Sequence, residues 1–230
     1  MSKSIVVVGF GPGISTAVAE KFGAEGFSVG LVARNAARLD AGVAALKAKG
    51  LAAAAFVADA ADPTSIGAAI AKARTELGPV TVLHWNAYSG AEAPDLVTTD
   101  PVAVGHVFDV AVVGLLAAVQ AALPDLKAAG DGAVLVTNGA FGELNPMIDA
   151  MATNMKTVGV ALANAAKHKL VGLLAERLKG DGVYIGEVMV AGAVKGTAFA
   201  SGGDGIESSA IANQFWDLYR ARSEIRARIS

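Results

Sequence analysis

Gly9, Gly11 and Gly13, followed by Ile14 and Ser15, stand directly after the apolar run Ile5-Val6-Val7-Val8 and directly before helix-forming sequence. A strand, a glycine turn and a helix in that order form a cradle for phosphate. The glycines let backbone N–H groups approach an anion closely, and the helix presents the positive end of its dipole. The chemistry this spacing suits is dinucleotide binding. Ile14 occupies the last glycine position of G-x-G-x-x-G, so G-x-x-x-G-x-G is the better template, with Gly9 and Gly13 in place and Ser15 at the final position. Its hydroxyl either caps the helix or meets a phosphate. About twenty positions past the glycine turn, an acid would accept the ribose 2′-hydroxyl of NAD. Counting from Gly13 reaches Ala33-Arg34 instead, with Arg38 following and the nearest acid, Asp40, already inside a helix. Two cations near a helix N-terminus oppose its dipole unless an anion joins them. A 2′-phosphate supplies that anion, so the expected cofactor is NADP(H).

The elements that must position these residues alternate along the chain. Residues 5–8, 28–33, 53–58, 80–85, 133–137 and 183–190 are short apolar runs that predict strands, separated by longer alanine-rich helical patterns. Continuous apolar strands imply a sheet covered on both faces. Asp62-Pro63 and Asp100-Pro101 predict an N-cap followed by proline in the first helical turn, and Asn35 predicts a further cap. Residues 224–229 alternate charged and apolar side chains, the pattern of a seventh, edge strand. The expected fold is a Rossmann-type, doubly wound α/β sheet of seven mostly parallel strands with helices on both faces, spanning residues 1–230 as one domain. Ser201-Gly202-Gly203-Asp204-Gly205, ahead of a helix near 208–219, suggests a substrate lid over 195–222.

Composition removes several classes of function. The 230 residues are 53% hydrophobic with a net charge of −2, which gives no electrostatic reason to expect nucleic acid or an anionic membrane as partner. The absence of cysteine excludes thiolate nucleophiles and cysteine-based metal sites, and His84, His106 and His168 form no ligand spacing. The apolar stretch 110–119 is about half a bilayer span, and the first eight residues are too short for a secretory signal. A soluble cytoplasmic protein is expected.

Taken together, these residues resemble the short-chain dehydrogenase/reductase family from Ile5 to about Thr197. Gly9, Gly13 and Ser15 match its glycine motif, and Asp59 matches the acid that contacts adenine. Asn86-Ala87 matches half of its N-N-A-G motif, with Trp85 and Tyr88 replacing the flanking residues. Gly192-Ala193-Val194 resembles the loop that holds the nicotinamide amide, and Thr197 ends it. The resemblance implies NADP(H) bound by Gly9, Gly11, Gly13, Ile14, Ser15, Arg34, Arg38, Asp59, Asn86, Ala87, Val194 and Thr197.

The catalytic pattern of that family, Y-x-x-x-K with a polarising serine, is absent. Four residues beyond Tyr88, Tyr184 and Tyr219 stand Glu92, Val188 and Ser223. Alignment puts Gly139 at the serine position and Ala111 at that of an active-site asparagine. For the tyrosine and lysine, one register gives Ala152 and Lys156, and another gives Val160 and Asn164. The second is preferred because it keeps the helical pattern ending at Leu178 whole. Asn138, Tyr88 and Lys156 remain as weak catalytic candidates, each with an ordinary structural reading beside it. The expected activity is NADP(H)-dependent reduction of a small organic carbonyl or activated double bond at an atypical site. The alternative is an NADP(H)-binding regulator or redox sensor without turnover. Residues 107–123 are apolar nearly all round, which predicts a homo-oligomer, and the family resemblance implies a homodimer or homotetramer.

Overall fold

The computed structural model describes residues 3–90, 92–197, 200 and 204–230. Seven strands form one sheet in the order β3-β2-β1-β4-β5-β6-β7, with every neighbouring pair parallel. They are β1 (Ser4–Val8), β2 (Ser28–Ala33), β3 (Ala53–Val57), β4 (Val80–Trp85), β5 (Ala133–Gly139), β6 (Tyr184–Val190) and β7 (Arg226–Ile229). The expected strands all form, and β5 runs two residues further than expected, so Asn138 and Gly139 belong to the strand.

Pleating sends alternate side chains of β1 into separate cores. Val6 and Val8 pack with Ile66 of α3 (Pro63–Leu77), Leu115 of α5 (Leu115–Ala128) and Val171 of α7 (Val158–Leu178). Ile5 and Val7 pack with Val18 of α1 (Ile14–Ala24), Leu39 of α2 (Ala36–Ala48) and Phe215 of α8 (Ser208–Ala221). Each wholly buried Ile or Leu contributes about 1.5–3 kcal/mol, so this two-sided burial is what forces the strands to be apolar throughout. The edge strand β7 pairs on one side only and keeps Arg226 exposed.

Helix starts follow the caps. Asn35 Oδ1 accepts from Arg38 N–H at 2.8 Å, Asp62 Oδ1 from Thr64 N–H at 2.9 Å, and Asp100 Oδ1 from Val102 N–H at 2.9 Å. Asn145 does the same for α6 (Pro146–Asn154), a helix inserted between β5 and α7.

α4 (Pro101–Phe108) runs into α5 through a π-helical turn, Asp109–Gly114. The combined helix, Pro101–Ala128, is long and apolar enough to cross a membrane by length and composition, and 33% of its most apolar window is buried. The sequence expectation, based on residues 110–119, missed this because α4 before that stretch and the remainder of α5 after it extend the element on both sides. Within it, Gly114 lies so close to the Ala60 carbonyl that a Cβ would come within 1.9 Å, which brings the wide turn against the loop after β3.

Candidate functional site

Strand order reverses between β1 and β4, and the crevice beyond the carboxyl ends of these strands is where ligands bind in such sheets. The glycine turn closes one wall of it. Gly9 and Phe10 N–H groups both donate to the Val32 carbonyl, at 2.9 and 3.0 Å. Gly9 has φ +84°, and a Cβ there would fall 2.4 Å from the Ala87 nitrogen, so only glycine lets the end of β1 seat against the turn after β4. From that turn, Asn86 donates back to the Gly9 carbonyl at 3.3 Å.

Gly13 precedes α1 with φ +90°, and no side chain caps this helix. Its first N–H groups are therefore available to an anion. Ser15 does not cap the helix. Its buried hydroxyl accepts from Gly11 N–H and donates to the Gly11 carbonyl, both at 2.9 Å, while Thr16 donates to the same carbonyl at 2.8 Å. These bonds hold the turn in shape and leave the helix end open.

Arg34 is exposed at the end of β2, and Arg38 projects from α2 so that its Nη1 lies 3.8 Å from where a Gly11 Cβ would stand. Among the described residues neither guanidinium pairs with a carboxylate. Asp59 caps its own turn, accepting from Ala61 N–H at 3.0 Å, and remains half-buried after β3. On the far side, Val194 is buried, and the Thr197 methyl lies 2.7 Å from the position of a Gly13 Cβ, so the loop after β6 folds over the glycine turn. Ile14 is half-buried in the first turn of α1. The structure thus gathers the residues expected to bind a cofactor around one crevice. An open helix end, a turn with glycine at three of its five positions and two guanidinium groups suit an anionic dinucleotide with an extra phosphate.

The other half of the crevice is formed by the end of β5 and the start of α7. Ala111 is buried in the π turn. A Cβ on Gly139 would stand 2.6 Å from Asn164 Nδ2, which supports the register that puts Val160 and Asn164 on the site. Ala152 is buried on α6, and Lys156 is exposed with φ +54° at the junction of α6 and α7. Tyr88 is 62% exposed beyond β4. Asn138 turns inward: its Nδ2 donates to the Asn164 carbonyl at 3.0 Å and to Glu187 Oε1 at 2.6 Å, and its Oδ1 accepts from Gly139 N–H at 3.0 Å. With both amide hydrogens committed, Asn138 braces β5 against α7 and β6.

Nothing in the pattern of residues singles out Glu187. It is wholly buried on β6, where Oε2 lies 2.8 Å from His168 Nδ1 and accepts from Arg226 Nε at 3.0 Å. Lys167, buried on α7, also feels this carboxylate; burial pushes its ammonium down to about 8, and the Glu187 charge opposes that fall. His84, buried beneath the crevice on β4, is pushed down to about 3 by burial and so stays neutral. The available signal was helical: Asn164, Lys167 and His168 fall on one stripe with Val160, three and four residues apart.

The family of short chain dehydrogenases matches this chain over residues 3–201. A 3-dehydrosphinganine reductase of Arabidopsis thaliana is 34% identical over 131 residues, which is 56% of this chain and 39% of that protein, so the match spans about two fifths of the relative's length. Among solved structures, L-sorbose reductase from Gluconobacter frateurii, complexed with NADPH and L-sorbose, superposes with TM-score 0.85 at 20% identity, covering 100% of this chain and 95% of that one. An NADPH-bound short chain oxidoreductase from Pseudomonas aeruginosa with an atypical catalytic center gives 0.84 at 21% over 100% and 95%. A short-chain dehydrogenase from Rhodopseudomonas palustris gives 0.81 at 21% over 100% and 99%. At such identities the structural likeness speaks for the fold, and the family match carries the assignment: this chain belongs to the short-chain dehydrogenases.

Proposed function

We propose that the chain is an NADP(H)-dependent oxidoreductase that reduces a small organic carbonyl or an activated double bond with an atypical catalytic site. The observation that carries the reading is the pair Arg34 and Arg38, unpaired with carboxylates among the described residues and placed beside an uncapped helix end and its glycine turn. The first turn of α1 would hold the pyrophosphate, Arg34 and Arg38 the 2′-phosphate, Asp59 the adenine edge, and Val194 and Thr197 the nicotinamide end. When bound, NADPH supplies the hydride. The chain's own part is to exclude water and orient the acceptor: a positioned acid is worth about 10²–10⁴ in rate, whereas near-attack geometry reaches about 10⁵ or more, so loss of the tyrosine leaves room for turnover. A panel of ketones, aldehydes and enones, with NADPH oxidation followed by absorbance, tests it.

A second reading, an NADP(H)-binding regulator without turnover, is favoured by Ala111, Gly139, Val160 and Asn164 at the positions of the family's reacting groups. Tight NADPH binding with no oxidation of any acceptor supports it. On either reading the protein is a cytoplasmic homodimer or homotetramer of single-domain subunits. Val113 on the long helix and Leu173 on α7 are exposed apolar side chains suited to such a contact. A substrate lid over residues 195–222 belongs to the same reading. Within that range α8 buries Ile211, Phe215 and Leu218 in the core, and the Ile206 N–H donates to the Ala193 carbonyl at 2.8 Å. Ala198, Phe199, Ser201, Gly202 and Gly203 lie outside the described residues.

A further inference from the structure

Among the described residues, the crevice holds a polar group with no structural duty. Asn164 is 6% exposed, and among the described residues nothing hydrogen-bonds its side-chain amide; the Asn138 contact is to its backbone carbonyl. Among the described residues, the buried polar atoms that are both sealed from solvent and unpartnered are His84 Nδ1 and Trp85 Nε1, so the unpartnered Asn164 amide keeps some exposure. An unsatisfied amide this deep costs about 1–3 kcal/mol unless water or a ligand meets it.

Its surroundings fix where it opens. Gly139 ends β5, and a side chain there would start 2.6 Å from Asn164 Nδ2. The amide therefore occupies the volume that a side chain at position 139 would fill at the carboxyl end of the sheet. The base of α7 is held on both flanks. A Gly90 Cβ would fall 2.6 Å from the Val160 nitrogen and a Gly142 Cβ 2.6 Å from the Ala165 nitrogen, so neither neighbouring loop leaves room for Asn164 to swing away. Val160, Gly139 and Ala111 supply no donor.

We infer that the Asn164 side-chain amide is the hydrogen-bond donor to the substrate oxygen, taking by way of α7 the place from which a β5 hydroxyl would otherwise act. This rests on the proposed reductase reading. During reduction the carbonyl carbon gains a hydride from NADPH, which leaves as NADP⁺. The C=O π pair moves onto oxygen, the Asn164 N–H stabilises that charge, and a solvent water supplies the proton. Asn164 donates a hydrogen bond without giving up a proton, so the rate is set by electrostatic stabilisation with no side-chain acid involved.

Calorimetry with NADPH alone comes first: absence of binding overturns the cofactor reading, and this inference with it. With the cofactor bound, two readouts decide the inference by itself. In protein loaded with NADP⁺ and carrying ¹⁵N-labelled asparagine, straight-chain carboxylates serve as unreactive oxyanion probes. The Asn164 amide, assigned by its loss in Asn164→Asp, moves downfield on titration while the Asn138 amide stays. An Asn164 amide unmoved by every carboxylate overturns the inference. In turnover with a carbonyl acceptor, Asn164→Asp lowers kcat about 10²–10³-fold at neutral pH, the cost typical of one such donor. It leaves the KM for NADPH unchanged and regains rate as pH falls and the new carboxyl protonates, whereas Asn164→Ala stays low at every pH. Gly139→Ala, which crowds the amide without altering it, lowers kcat in the same way. An Asn164→Asp protein that keeps its kcat while binding NADPH contradicts the assignment.

Discussion

The two halves of the crevice are built on different principles. The half formed by the β1–α1 turn and the end of β2 works mainly through backbone: N–H groups at an uncapped helix and glycines with positive φ, with two exposed guanidinium groups at its rim. The half formed by β5 and α7 works through side chains. Small and apolar residues line its surface, and a polar network lies beneath it, with the Glu187 carboxylate bound to Asn138, His168 and Arg226. Backbone sites tolerate only glycine at key points and so remain recognisable. Side-chain sites are open to substitution as long as the packing below them holds.

Four changes put this contrast under strain, the largest first. Gly9→Val drives a branched side chain into the Ala87 backbone at a positive φ, and is expected to cost about 3–5 kcal/mol from overpacking and backbone strain together. A denaturant melt with an unshifted midpoint would show that the turn is more pliable than described. Glu187→Ala strands a guanidinium, an imidazole and an amide around a vacated buried site, at a comparable cost of about 3–5 kcal/mol. If it unfolds at the wild-type denaturant concentration, the network is not what supports this half of the crevice.

Lys167→Met is expected to act in the opposite direction. Its ammonium is lowered to about 8 from 10.5, so in the range between these values the unfolded chain binds more protons than the folded one, and stability rises with pH there. Below about pH 8 the buried charge costs up to about 3 kcal/mol. The methionine variant should therefore melt higher than wild type at pH 7, with the advantage vanishing by about pH 10.5. A variant less stable at pH 7 would mean that the Glu187 charge outweighs desolvation. The smallest effect belongs to the cofactor rim: Arg34→Ala with Arg38→Ala is expected to weaken NADPH by about 1.5–3 kcal/mol, the worth of charge-assisted hydrogen bonds, while NADH binding stays constant. Equal loss for both nucleotides would remove the guanidiniums from 2′-phosphate recognition.

The same contrast governs what could be read from the amino acids. Strands 28–33 and 80–85 have the expected bounds because two-sided burial leaves an uninterrupted apolar run between turn formers, and the Asn35, Asp62 and Asp100 caps declare the helices they start. The glycine turn was legible since backbone demands allow few residue types. Ser15 shows the limit: its identity was informative, but its bonding to Gly11 depends on a turn geometry that spacing alone does not specify. The π turn at Asp109–Gly114 was hidden because an apolar helix with one inserted residue keeps almost the same periodicity. Glu187 was hidden for a different reason. Its partners come from β5, α7 and β7, up to 49 residues away in sequence, so nothing local marks it as buried and paired.

Calorimetric titration of the purified protein with NADPH, and then with NADH, tests most directly the claim that the uncapped start of α1 holds a diphosphate while Arg34 and Arg38 select the phosphorylated nucleotide. Saturable binding of NADPH, clearly tighter than that of NADH, is the expected result; no heat from either nucleotide, or a preference for NADH, contradicts it.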